Sequence, residues 1–315
     1  MEQPQPEVQE QTVNTSPNSD VPPTEVVRSV TPAVQSVAPQ ACSTCGATPA
    51  ANGNGTTPAS PNYVYAIGHI EARFPRPSVE KELAQCTGRA DTAGLTNRQS
   101  MQKVLAQRQN RYLVRQMCWV MTIEGLETYI LVPRDPADLD LLVEALRPAP
   151  SPMDLDCVIG MRGPIAPPEM CNGLMVPIVV FDQIYSFDRD VLIKAIPKPD
   201  KISAKEFGPA AEELFDRIMQ MADNAGATDE DRALNYLAVR YQAIYAKAAE
   251  CFGQNCSLTG VDVVPSRLSG TRNLLDVIFT YTNRNTDVDD QCFVRVDVTD
   301  EFPYLVTKLS PYYDR

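Results

Sequence analysis

The stretch "MCWVMTIEGLETYILVP", residues 117–133, decides the fold class. Two apolar runs flank a short connection that contains Gly125, and this pattern predicts a β-hairpin. The stretch that follows, "DPADLDLLVEALRP" at 135–148, predicts a helix, because Asp135 suits the N-cap and Pro136 suits the first helical position. Strands and helices that alternate in this irregular way favour an α+β protein.

The sequence before the hairpin predicts one strand and two helices. "YVYAIGHI", which starts at Tyr63, alternates like a strand. Residues 77–88 predict a short helix, and residues 97–112 predict a longer one with an apolar stripe. After the hairpin and its helix, the chain is β-rich, and Pro177 there indicates an edge strand or a bulge.

The last hundred residues predict a helical pair followed by an antiparallel sheet. The helices are expected over 210–224 and 228–253, and the second begins with a capping pattern from Thr228 to Asp231. Alternating strands follow. In one of them, three valines face one side and two charged residues face the other. These residues are Val294, Val296 and Val298 on one face, and Arg295 and Asp297 on the other.

Composition divides the chain into three parts. Residues 1–62 hold ten prolines, no aromatic residue and one basic residue, which predicts a disordered arm. The segment "IPKPDK" at 196–201 suits a boundary, so that two mixed α/β domains are expected at 63–200 and 201–315. The second of these would consist of the helical pair and the antiparallel sheet.

Charge and hydropathy exclude several classes of protein. A net charge of −12 argues against nucleic acid as a partner, because phosphate binding requires a basic surface. The sequence has no run of about 18 apolar residues, so we expect no membrane span. The acidic start "MEQPQPEVQEQ" lacks the pattern of a secretory signal, which favours a cytoplasmic protein. The sequence does not reveal the oligomeric state.

Nine cysteines, an odd number, do not predict a disulfide scaffold. Isolated cysteines in apolar surroundings, such as Cys118, Cys157 and Cys292, are expected to stay reduced and to pack as small hydrophobes. Cys42 and Cys45 form a Cys-x-x-Cys pair inside the arm, and a plain flexible segment with incidental thiols is the favoured interpretation. No cofactor is therefore expected.

A zinc site is the alternative for the cysteine pair, because structural zinc takes four ligands that usually come as two close pairs. The second pair would be Cys251 and Cys256, and His69 would be a further candidate. A thioredoxin-like redox role is less favoured, since that motif belongs at a helix N-terminus that follows a strand.

Signatures of catalysis are missing from the sequence. His69 is the single histidine and lies on or just after the first strand, where a structural role is more common than catalysis. The sequence contains no P-loop, no G-x-G-x-x-G and no H-E-x-x-H. These observations favour a protein that is not an enzyme.

One segment departs from the acidic average. Five basic residues and no acidic one lie between residues 92 and 123, and such a patch suits an acidic peptide segment. The same side chains would also suit an amphipathic helix whose cations pair with acids elsewhere. The five residues are Arg98, Lys103, Arg108, Arg111 and Arg115.

Two regions resemble the PatG family, whose type member is a cyanobactin maturation protein. The first region resembles the PatG domain of unknown function, and the second resembles the C-terminal PatG segment. The motifs of the first are "YVYAIGHIEARFPRPSVEKELAQ" (63–85), the 117–133 hairpin and "VIGMRGPIAPPEMCNGLMVPIVVFDQIYSF" (158–187). Those of the second are "DRALNYLAVRYQAIYA" (231–246), "DVVPSRLSGTRNLLDVIFTYTN" (262–283) and "FVRVDVTDEFPYLV" (293–306).

The resemblance implies a setting in the maturation of ribosomally made peptides, without the subtilisin-like protease domain that cleaves and cyclises in that family. The leading hypothesis is a non-catalytic accessory protein that docks a precursor peptide or a peptide-modifying enzyme. The expected docking surface is the basic segment Arg98 to Arg115 beside Trp119 and Tyr129 of the hairpin. The alternatives are a zinc- or thiol-dependent protein that uses Cys42 and Cys45, and an arm that is itself modified.

Overall fold

The hairpin is part of a closed five-stranded barrel in the computed structural model, which describes residues 62–89, 94–196 and 204–313. The barrel order is β1-β2-β3-β5-β4, in which only the pair β3–β5 is parallel. The strands are β1 (Tyr63–Arg73), β2 (Cys118–Ile123), β3 (Leu126–Pro133), β4 (Asp154–Ile165) and β5 (Pro177–Asp188). The predicted arm, 1–62, lies outside the described residues except for Asn62.

The predicted hairpin and the start of the helix after it are confirmed. Glu124 and Gly125 both have positive φ, 51° and 80°, so β2 and β3 are joined by a two-residue turn that matches the twist of the strands. Asp135 caps the following 3-10 turn by accepting a hydrogen bond of 2.8 Å from the Ala137 N–H. Pro177 is the first residue of β5 and faces Ile165, next to a shift in register, so the bulge alternative was correct.

Helices α1 to α4 pack against the barrel and fill one apolar cluster with its strands. They are α1 (Pro77–Arg89), α2 (Asn97–Leu105), α3 (Arg111–Gln116) and α4 (Leu139–Ala145). The prediction of one helix over 97–112 was wrong. Gln107 has extended backbone, and the Asn110 side-chain amide donates a hydrogen bond of 2.9 Å to the Val104 carbonyl. This bond closes the end of α2 and starts a new turn.

The second half places three helices on one face of a four-stranded antiparallel sheet of order β6-β7-β8-β9. After the short α5 (Arg189–Ala195), the helices are α6 (Ala204–Met221), α7 (Asp229–Arg240) and α8 (Ala243–Gly253). The strands are β6 (Cys256–Pro265), β7 (Leu274–Asn283), β8 (Asp289–Asp297) and β9 (Tyr304–Pro311). The α+β class is therefore confirmed, and the division at residue 200 stays a prediction.

The long helix predicted over 228–253 is two helices, and that prediction was wrong. Tyr241 leaves helical geometry at φ −116° and ψ 88°, and its hydroxyl accepts a hydrogen bond of 3.0 Å from the Leu309 N–H of the sheet. The Thr228 cap is present, since its Oγ1 accepts from the Asp231 N–H at 3.2 Å. The predicted valine face of β8 is buried: Val294, Val296 and Val298.

The prediction that Cys118 stays a free thiol was also wrong, because Cys118 forms a disulfide with Cys171. The two residues lie 53 positions apart, and their Cα atoms are 5.7 Å apart. Cys157 and Cys292 are buried free thiols, as expected.

Hydrogen bonds from the α6–α7 loop join the second half to the barrel. β2 pairs only with residues 69–73 of β1, so the earlier part of that edge needs other partners. Tyr65 N–H donates to the Gly226 carbonyl at 3.1 Å, and Ile67 N–H donates to the Asn224 carbonyl at 2.9 Å. The Asn235 side-chain amide donates to the Tyr65 carbonyl at 2.8 Å. The loop thus takes the place of a neighbouring strand.

A shared cation forms a second connection between the halves. Arg134 Nη2 lies 2.8 Å from Asp182 Oδ2 of β5 and 3.4 Å from Glu301 Oε1 of the β8–β9 loop. Burial, and then the neighbouring Asp182 carboxyl, raise the pKa of Glu301 to about 7. Because one guanidinium serves two carboxyl groups, Glu301 of the folded protein stays protonated at pH values well above its ordinary pKa.

Within residues 62–89, 94–196 and 204–313, none of the helices combines the length and hydropathy that a bilayer span requires.

Gly226→Ala should lower the free energy of unfolding by about 2–4 kcal/mol. Gly226 has a φ of +57°, and a Cβ there would lie 2.0 Å from the Tyr65 carbonyl oxygen. Gly88→Ala in α1 is the matched control, since a Cβ at that position meets no atom within 4 Å. It should leave stability unchanged or raise it by up to about 1 kcal/mol. Urea denaturation measures both. Equal stabilities of the two variants would contradict the close approach of Gly226 to the Tyr65 carbonyl.

Glu301→Gln should remove part of the pH dependence of stability. The raised pKa of Glu301, about 7, means that the folded protein binds a proton that the unfolded chain has lost. This contribution is complete below about pH 4.3 and disappears as the pH rises through 7. The free energy of unfolding of the variant, compared with that of the wild type, should therefore increase by about 1–2 kcal/mol when the pH is raised from 5 to 8, with allowance for solvent screening.

Urea denaturation at the two pH values measures this gain. Asp182→Asn removes the like charge beside Glu301 and should reduce the same dependence in the wild-type background. If the free energies of unfolding of the wild type and of Glu301→Gln change in parallel with pH, this account is wrong.

Candidate functional site

A groove of about 580 Å³ lies between α1 and α2, next to the end of β1. Its floor is apolar, and its walls are polar and carry both signs of charge. The floor residues are Ala72, Phe74, Leu83, Ala84 and Met101, and the wall residues are Glu80, Thr87, Asn97, Arg98 and Ser100. A concave site with an apolar floor and a few polar groups at its edge is the usual form of a ligand-binding pocket.

Helix capping positions the α2 wall of this groove. Thr96 and Gln99 form a reciprocal capping box, in which the Thr96 side chain accepts from the Gln99 N–H at 3.3 Å and the Gln99 side chain accepts from the Thr96 N–H at 2.9 Å. Arg98 Nε donates to the Arg147 carbonyl at 2.8 Å, which ties α2 to the end of α4. The wall is therefore held before any ligand binds.

The predicted basic residues follow the groove and the helices beyond it. Arg98 lines the groove, and Lys103 is exposed on the same helix. Arg108 and Arg115 are exposed farther along. Arg111 lies 2.9 Å from Asp140 and donates to the Ala137 carbonyl at 2.9 Å, so that it connects α3 to the start of α4. Of the five predicted cations, only Arg98 lines the groove, whereas Lys103 lies elsewhere on α2 and Arg111 acts as a brace.

The two hairpin aromatics do not reach that surface. Trp119 is 3 % exposed, and its Nε1 donates to the Val114 carbonyl at 3.0 Å. Tyr129 is 2 % exposed, and its hydroxyl donates to the Ala225 carbonyl at 3.0 Å. Burial raises the pKa of Tyr129 to about 12, so it stays protonated and able to donate. Both side chains pack in the core.

The sequence analysis did not single out the residues of the groove floor. Phe74, Leu83 and Met101 come from a strand end and from two helices, and they meet because α1 and α2 pack on the barrel. The apolar stripe that includes Met101 was noted only as a helix signal. The carboxyl pair Asp182 and Glu301 was missed as well, because 119 residues separate its members in the sequence.

The cysteines predicted as metal ligands lie in different settings. Cys251 is buried, and its burial raises its pKa to about 11, which disfavours the thiolate that binds metal. Cys256 is half-buried at the start of β6. Cys42 and Cys45 lie outside the described residues. His69 is exposed on β1. In the described part of the chain, no three His, Cys, Asp or Glu side chains form a group that could hold a metal ion.

Comparison with known proteins places the fold among its relatives. Residues 201–312 match the family model described as PatG C-terminal. This part of the chain therefore resembles the C-terminal segment of PatG. The structure is similar in fold to a solved structure titled "PatG Domain of Unknown Function", with a TM-score of 0.64 at 19 % sequence identity. The match covers 80 % of this chain and 98 % of the solved one. No curated protein matches the sequence.

These comparisons confirm the resemblance inferred from the sequence motifs. The match to the family model lies in the second half, and the solved structure resembles this protein in fold. That solved domain aligns with more of the chain than the 63–200 segment alone could supply, so its fold includes elements of both halves.

Tyr129→Phe should lower the free energy of unfolding by about 1 kcal/mol, because it removes the donor to the buried Ala225 carbonyl. Tyr313→Phe is the control, since Tyr313 is 76 % exposed and its loss of a hydroxyl should leave stability unchanged. Thermal or urea denaturation compares the two variants. A Tyr129→Phe protein as stable as the wild type would show that this hydrogen bond does not stabilise the contact between the barrel and the α6–α7 loop.

Proposed function

We propose that this protein is a non-catalytic binding protein of ribosomal peptide maturation of the cyanobactin type. It docks a precursor peptide, or a segment of a peptide-modifying enzyme, in the groove between α1 and α2. The observation that carries the proposal is the apolar floor of the groove beside a wall that bears Arg98. The resemblance to PatG supplies the setting.

The chemistry of the groove favours a short segment with apolar side chains flanked by carboxylates. Leu83, Ala84 and Met101 offer apolar surface, and the gain from covering it does not depend on direction. The exposed cations on α2 and α3 would add attraction for acidic flanks and would speed the encounter. A volume of about 580 Å³ suits a few side chains and is too small for a folded domain.

The same proposal places the protein in the cytoplasm, where ribosomal precursors are made, and gives it no nucleic-acid partner, in keeping with its net charge of −12. It needs no cofactor. His69 is exposed on β1 and is not among the groove-lining residues, so the proposal gives it no role.

Met101→Glu tests the groove directly. A carboxylate on the apolar floor would lose hydration when a ligand covers it, so affinity should fall by about tenfold or more. Isothermal titration against precursor peptides encoded near this gene, and against the neighbouring modifying enzymes, measures the effect. Met221→Glu is the matched control, because Met221 is 43 % exposed at the end of α6, outside the groove lining, and its replacement should leave affinity unchanged.

A second arm of the experiment tests the charges. Lys103→Glu combined with Arg108→Glu should weaken binding and reduce its dependence on salt concentration. If no precursor and no neighbouring enzyme binds the wild type, the proposed function is wrong. If Met101→Glu binds as well as the wild type, the function can stand, but the groove is not its site.

A further inference from the structure

Residues 166–176 form a loop between β4 and β5 that covers the outside of the β2–β3 hairpin. Its apolar side chains pack on Val120 and Ile130, which are 0 % and 2 % exposed, and the disulfide lies in the same cluster. The loop residues in this cluster are Ala166, Met170, Cys171, Leu174 and Val176.

The disulfide is the covalent tie between this loop and the barrel wall. The backbone hydrogen bonds described for the loop are local, such as Met170 N–H to the Pro167 carbonyl at 3.0 Å and Gly173 N–H to the Pro168 carbonyl at 2.8 Å. They shape the loop without attaching its centre to β2. Apart from apolar packing, the Cys118–Cys171 bond is what holds that centre in place.

A cavity of about 360 Å³ gives access to one of the two sulfur-bearing residues. Cys171 lines this cavity together with Arg73, Phe74, Glu127 and the three loop residues Asn172, Gly173 and Leu174. Cys118 is not among the lining residues, since it lies on β2 beneath the loop. Cys171 is 4 % exposed, so it borders the cavity with a small part of its surface, and it is the member of the pair on the cavity side.

We propose that the Cys118–Cys171 disulfide is a site of thiol–disulfide exchange with a small dithiol, and that its reduction releases the 166–176 loop. A thiolate of the dithiol attacks Cys171 Sγ, the S–S bond breaks, and Cys118 leaves as a thiolate that takes a proton from water. The second thiol of the reductant then displaces Cys171 and closes a cyclic disulfide. The protein gains two electrons and two protons, and the dithiol loses them.

Release of the loop would uncover the apolar face that it covers. Val120 and Ile130 would then reach solvent on the outside of the barrel. In a reducing compartment, the open form would dominate, whereas oxidation would close it. The exposure of this face would thus follow the redox state of the surrounding thiols.

The charges at the cavity favour an uncharged reductant. Arg73 is paired with both Glu71 and Glu127, so two carboxylates surround one guanidinium. The surplus negative charge opposes glutathione, which is an anion, and does not oppose dithiothreitol. Glu127→Gln removes the surplus and should speed reduction by glutathione while leaving reduction by dithiothreitol unchanged.

The experiment uses the full-length wild-type protein in native buffer with dithiothreitol. Alkylation followed by mass spectrometry should label Cys118 and Cys171, and hydrogen exchange in residues 166–176 should accelerate by about tenfold while the exchange of β7 stays unchanged. Cys157 is an internal control, because it is fully buried and should stay unlabelled unless the protein unfolds globally.

Three results would overturn the proposal. A disulfide that is reduced only together with labelling of Cys157, or only in denaturant, would be a static brace. A reduced protein whose 166–176 loop exchanges as slowly as before would show that the bond does not restrain the loop. Equal rates of glutathione reduction in the wild type and in Glu127→Gln would exclude access through this cavity.

Discussion

The rest of the structure depends on one constraint: the first part of β1 has no partner in β2 and must form its hydrogen bonds on that edge elsewhere. A buried strand edge must have hydrogen-bond partners, and β2 supplies them only for the second part of β1. The α6–α7 loop supplies the rest through the Asn224 and Gly226 carbonyls. Its close approach requires a residue without Cβ at position 226. The barrel and the helix–sheet half therefore complete one another, although each has its own apolar cluster.

Buried charges connect the same two halves near the β8–β9 loop. Arg232 is 2 % exposed and donates hydrogen bonds to the Val298, Asp300 and Glu301 carbonyls, so it fixes the backbone of that loop. Glu301 then reaches back to Arg134 and Asp182 of the barrel half. Because buried ion groups are costly unless they are fully partnered, this cluster fixes how the halves fit more than it adds to stability.

The two candidate binding features lie in the barrel half, whereas the match to the family model lies in the helix–sheet half. The groove is preformed by a capping box and by the Arg98 hydrogen bond, and its floor comes from three separate elements. The loop over the hairpin is different, since one covalent bond holds it over an apolar face. One feature is thus ready for a ligand, and the other depends on the state of two sulfur atoms.

The sequence by itself determined the elements whose signals are local: the strand from Tyr63, the hairpin, the Asp135 cap and the valine face of β8. It also determined the α+β class and the resemblance to PatG. Only the tertiary structure decided the ends of α2 and α7, the closure of the barrel, the burial of Trp119 and the pairing of Cys118. A periodic pattern shows which face of an element is buried, but it does not show which distant residues cover that face. The helix interruptions and the cysteine pairing in this protein arise from contacts such as Tyr241 with Leu309 and Cys118 with Cys171. These contacts depend on how the elements meet in space.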